Sequence, residues 1–148
     1  MKKSRLTYIL VKGDPKLLEK LALQIEQNYQ ITLVREPEKS LVMNKARDSV
    51  SGNPFYLGEI LLTECTVSVK DVYGFGAVMG EAADRAYHLA IVDSAINARL
   101  PETLDWDPIL IEEEERIEVQ NRMVHSQIMQ SKVNFDTMGE YHAKPQGS

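Results

Sequence analysis

Residues 53–95 read NPFYLGEILLTECTVSVKDVYGFGAVMGEAADRAYHLAIVDSA, from Asn53 to Ala95, and this stretch decides the fold. Leu61, Thr63, Cys65, Val67 and Val69 alternate with Leu62, Glu64, Thr66 and Ser68, the period of a strand with two unlike faces. Upstream, Tyr56, Ile60 and Leu62 alternate in the opposite phase. A slip of one residue exchanges the faces of a strand, so the change of phase near Gly58-Glu59 predicts a bulge or kink. Lys70-Asp71 marks a turn, Tyr73 to Met79 forms the returning strand, and Gly80 ends it. Glu81 to Asp84 then opens a helix with acids placed to suit the helix dipole. Ala82, Ala86, Leu89, Val92 and Ile96 point its apolar side inward, while Ala83, Ala90 and Ala95 allow a close approach to the sheet.

Upstream, Arg5 to Val11 predicts a short first helix. Asp14-Pro15 starts a second, with Asp as N-cap and Pro in the first turn. Leu17, Leu18, Leu21 and Ile25 share one face of it. Ile31 to Arg35 reads as a strand that Pro37 ends or places at an edge. Leu41 to Arg47 reads as its return, with Glu36–Ser40 as the hairpin connection. Ser49 to Pro54 is the clearest loop. Downstream, Pro101 lies past the end of the packing helix. Leu104 to Asp107 is a linker carrying Trp106, and Asp107-Pro108 repeats the N-cap and Pro start. A long helix follows over about 109–131. The fold class is therefore α+β: an antiparallel sheet of about four strands in two hairpins, with N-terminal helices, a packing helix near 81–99 and the long C-terminal helix. The chain reads as one domain over 1–148, with 139–148 as a flexible tail.

The 148 residues suffice for a core without disulfides or metals. One cysteine, Cys65, rules out an internal disulfide and fits a reducing cytoplasm. The Leu6–Val11 run is too short for a signal sequence, and no run approaches the ~20 apolar residues of a membrane span. The net charge is −5 and the basic residues are scattered, against a nucleic-acid partner.

No self-contained catalytic constellation stands out. Gly74-Phe75-Gly76 resembles part of a dinucleotide loop, but Met79 takes the third glycine position and Phe75 to Met79 reads as strand. Relief of a crowded strand, or room for another backbone to approach, is the preferred reading of the two glycines. Glu81, Asp84 and His88 share a helix face but fall short of a convergent metal-ligand set. His125 has no nucleophile in defined relation to it. Cys65 reads as a buried small hydrophobe, although a spatial pair with His88 stays open. Glu112–Glu115 reads first as solvated helix turns and second as an acidic docking surface. The stripe of Ile117, Val124 and Ile128, with Met123 and Met129 beside it, suits either the core or another subunit. An autonomous small-ligand enzyme or binding protein using Glu59, Asp84 and His88 is the rival to an assembly role.

Three ordered blocks carry a family resemblance. They are Val34-Arg35-Glu36-Pro37-Glu38 with Leu41-Val42-Met43 and Ala46-Arg47; Asn53 to Glu59 running into Leu62 to Val67; and Gly74-Phe75-Gly76, Val78 and Gly80 with Ala90 to Asp93. Val133-Asn134-Phe135 and Thr137-Met138 close the match. The chain resembles the PhnG family, the small subunit of the bacterial carbon–phosphorus lyase core complex, over about Arg5 to Met138. The resemblance implies a cytoplasmic assembly with PhnI-, PhnH- and PhnJ-like subunits. It implies a supporting role, with PhnI-, PhnH- and PhnL-type subunits, in a transferase reaction. There an alkylphosphonate displaces adenine from MgATP to give a ribose 1-alkylphosphonate 5-triphosphate. PhnJ-type radical chemistry then cleaves the carbon–phosphorus bond, and the nucleosidase step falls to PhnI. The family offers no catalytic, cofactor-binding or metal residue to transfer to this chain. MgATP is a substrate of the complex, and an isolated subunit is expected to self-associate, as a homodimer for example.

Overall fold

The computed structural model describes residues 1–47, 52 and 54–147, with side chains described for 1–43, 52 and 58–131. Two helices, α1 (Lys3–Lys12) and α2 (Pro15–Asn28), precede three strands: β1 (Ile31–Arg47), β2 (Pro54–Val69) and β3 (Val72–Met79). Helix α3 (Ala83–Asn97), a 3-10 turn (Pro101–Asp105) and helix α4 (Trp106–Gly147) complete the chain. The sheet is antiparallel in the order β1-β2-β3, and α3 packs on one of its faces.

Local chemistry explains most boundaries. Asp14 accepts the Lys16 N–H at 3.0 Å and Pro15 occupies the first turn of α2, as the sequence predicts. Lys70 and Asp71 both adopt positive φ, at 51° and 63°, and join β2 to β3 in a tight two-residue hairpin. The expected kink near Gly58 is present. Asn44 pairs with Gly58 and Lys45 with Tyr56, so Leu57 is extra, and Gly58 has a φ of 145°.

The first hairpin and the start of the long helix need correction. Residues 31–47 are not a hairpin closed over Glu36–Ser40; they form one strand paired along β2, giving three strands rather than about four. Pro37 is tolerated because β1 is an edge strand. Arg35 pairs with Thr66 and Glu38 with Glu64, so one residue of the Glu36-Pro37 step is bulged out of the ladder. The long helix also starts earlier than 109. The 3-10 turn delivers the chain directly to Trp106, and Pro108 falls in the first turn, where no N–H is required. The helix continues to Gly147. The loop expected at Ser49–Pro54 falls mostly outside the described residues.

The core lies between the α3-facing side of the sheet, α3, α2 and the start of α4. Cys65, Val67 and Val69 from β2 meet Ala86, Ala90 and Ile91 of α3 in one buried cluster with Leu18, Leu21 and Ile25. Ala83, expected at this contact, is exposed. Trp106, assigned to a linker by sequence, is instead 1% exposed and donates its indole N–H to Gln24 Oε1 at 3.0 Å. Burying that ring pins the start of α4 against α2.

Candidate functional site

The paired glycines of β3 show how tightly the packed side is closed. A Cβ on Gly74 would lie 2.2 Å from the Ala90 carbonyl oxygen and 2.3 Å from the Ser94 nitrogen. On Gly76 it would lie 2.3 Å from the Ala86 carbonyl oxygen. The backbone of α3 therefore rests directly on β3, and the Gly-x-Gly spacing serves helix–strand packing, as the sequence suggests. Ser94 Oγ donates to the Val72 carbonyl at 2.6 Å, and Thr63 Oγ1 donates to the Gly80 carbonyl while accepting the Ala82 N–H.

The polar candidates do not form a constructed centre. Glu59 is exposed on β2, opposite Met43. Asp84 is exposed in the first turn of α3. His88 is half-buried, with its ring 5.9 Å from that of Tyr87. Among the described residues no hydrogen bond or ion pair joins any two of Glu59, Asp84 and His88, and no group of three or more His, Cys, Asp or Glu residues is disposed to hold a metal. Cys65 is fully buried, and burial pushes its thiol above the ordinary range with no cation lowering it. His125 lies on the exposed part of α4. Two of the four acids at Glu112–Glu115 are used inside the domain: Glu113 pairs with Arg116, and Glu114 binds Arg5 through two bonds of 2.5 and 2.7 Å. The Arg5 guanidinium holds the Glu114 carboxyl below the usual range, chiefly by hydrogen bonding.

What the fold leaves open is apolar. Beyond Leu62, where β3 stops, β1 and β2 continue as a two-stranded ribbon. Leu41, Val42 and Met43 point alternately to its two sides, yet all three are exposed, with Leu41 at 63%. Tyr73, Phe75 and Met79 are exposed on the sheet face opposite α3, Met79 at 68%. The α4 stripe divides. Leu110 and Ile117 are buried against the domain, whereas Val119, Met123, Val124, Ile128 and Met129 are exposed, Met123 at 61%. Sequence reasoning found the α4 stripe but missed the ribbon. Its signal was available in the unbroken apolar runs Leu41-Val42-Met43 and Ile60-Leu61-Leu62, which suit strands covered on both faces.

A family model described as phosphonate metabolism protein PhnG matches residues 1–139. The chain belongs to the PhnG family. No curated protein matches it. Membership connects the chain to phosphonate metabolism and extends across both the packed body and the projecting elements, because the match includes the ribbon and most of α4. In this PhnG-family chain, among the described residues, no helix is long and apolar enough to cross a membrane.

Proposed function

We propose that this chain is an assembly subunit of a carbon–phosphorus lyase complex acting in alkylphosphonate catabolism in the cytoplasm. It supports PhnI-, PhnH- and PhnL-type subunits as they displace adenine from MgATP with an alkylphosphonate, giving a ribose 1-alkylphosphonate 5-triphosphate. A PhnJ-like subunit acts afterwards on the carbon–phosphorus bond. In this reading the chain carries no active site or cofactor of its own, and MgATP is a substrate of the whole complex.

The observation that carries the reading is the apolar surface left on the ribbon and on α4 beyond Ile117. Exposed apolar surface of this kind suits a partner site. Obligate interfaces of ~2,000 Å² or more are relatively apolar, and methionines such as Met123 and Met129 adapt to a partner surface. Nothing comparable supports the rival site at Glu59, Asp84 and His88.

The test is co-expression with a PhnI-type subunit, followed by size-exclusion chromatography with light scattering. A stoichiometric complex that persists on dilution, with no turnover by the isolated chain, is the expected result. A monodisperse chain that ignores this partner and turns over a ligand alone would overturn the proposal.

A further inference from the structure

The outer edge of β3 is closed along half its length and open along the other half. Asp93 Oδ2 accepts the Phe75 N–H at 2.9 Å, and Asn97 Nδ2 donates to the Tyr73 carbonyl at 3.0 Å. These groups therefore point away from β2. In an antiparallel ladder the direction alternates with each residue, so Ala77 also aims its N–H and C=O outward. No described group meets them. Beside Ala77 runs a groove of about 300 Å³ between β3 and α1, lined with Leu6, Leu10, Leu89 and Val92. Its exposed lining residues include Thr7 and Lys3. The Asp93 carboxylate is engaged by Phe75 and Asn97 through Oδ2 and pairs with Lys3 through Oδ1 at 3.5 Å, while the Lys3 side chain is 60% exposed.

We infer that this edge receives an extended segment of a partner subunit, which adds as a short fourth strand beside Ala77. The inference rests on the assembly reading above. The unpaired N–H and C=O match the backbone of a strand, the chemistry of β-strand addition. The groove takes an apolar side chain from that segment. A carboxylate near it complements Lys3, whose ammonium has donors beyond the one that faces Asp93. A second copy of this chain is a poor occupant, because α1 walls the groove and the same edge of another copy would bring its own α1 into that space.

The test is amide hydrogen exchange at Ala77, in the isolated chain and in the co-expressed complex, together with the exposed substitutions Thr7→Trp and Lys3→Glu. The Ala77 amide is expected to exchange freely in the isolated chain and roughly 100-fold more slowly in the complex. Thr7→Trp fills the groove, and it should remove that protection and weaken partner binding about 10-fold with the circular dichroism spectrum unchanged. Lys3→Glu should slow association and weaken binding less. A complex in which Ala77 exchanges as in the free chain overturns strand addition alone. Failure to form any complex overturns the assembly reading and this occupant with it. Protection that grows with the concentration of the isolated chain assigns the edge to a second copy and overturns the inference.

Discussion

The packed end of this molecule and its open ends, the ribbon and the later turns of α4, treat similar residues in opposite ways. Where α3 lies on β2 and β3, Cys65, Val67, Ala90 and Ile91 are fully buried, and Gly74 and Gly76 yield their side-chain space to a helix backbone. Where the ribbon and the later turns of α4 extend past the domain, Leu41, Met43, Met123 and Ile128 are as apolar and are left exposed. Hydrophobic composition is thus shared between the ends, and cover is not. The packed end can stabilise itself. The open end contributes little to the isolated chain, because a two-stranded ribbon and an unsupported helix are each marginal in water.

Substitutions should separate the ends by size of effect. Ile91→Ala at the packed end should cost about 2–5 kcal/mol, read as a fall in the urea midpoint with the slope unchanged. Gly76→Ala should cost about 1–3 kcal/mol, since the new Cβ would meet the α3 backbone at 2.3 and 2.7 Å and the Leu89 Cβ at 3.1 Å. Replacing Lys70-Asp71 with Asn-Gly should stabilise by about 1 kcal/mol, because both positions hold positive φ, which costs Lys and Asp more than Asn and Gly. A loss of stability there would remove the hairpin turn from the account of the packed end.

Two further measurements address the junction and the open end. Glu114 has a lowered carboxyl pKa because of Arg5, so the folded state binds this proton less readily than the unfolded chain. Its contribution is present above the ordinary carboxylate pKa and is lost as pH falls through the depressed value. Glu114→Gln should flatten that acid limb of the stability profile, and an unchanged limb would remove the ion pair from the junction. Ile128→Ser at the open end should change stability by less than about 0.5 kcal/mol while weakening the complex. A larger loss in the isolated chain would mean that the chain covers this residue itself.

The sequence was informative wherever local chemistry dominates. Asp14-Pro15, the Lys70-Asp71 turn, the phase change at Gly58 and the packing role of Gly74 and Gly76 are short-range signals, and each appears where it was read. It misled where distant partners decide. Pro37 left a strand end and an edge position both open, and the long pairing with β2 decides for the edge, carrying β1 through by means of a bulge. Asp107-Pro108 looks like a helix start, but the indole of Trp106 finds Gln24, far away in sequence, and draws the start back. The candidate interaction surface was half legible for the same reason. A stripe such as Ile117, Val124 and Ile128 reports a face that prefers cover, and only the fold reveals that Ile117 receives it from the domain and the other two do not.

The Leu41-Val42-Met43 edge has a further consequence for the cell. An exposed strand edge with apolar side chains on both sides is a template for aggregation and is accessible to quality control. In the assembly proposed above, every copy made in excess of its partners keeps that edge bare. The lasting abundance of the protein would then follow the scarcest companion rather than its own rate of synthesis.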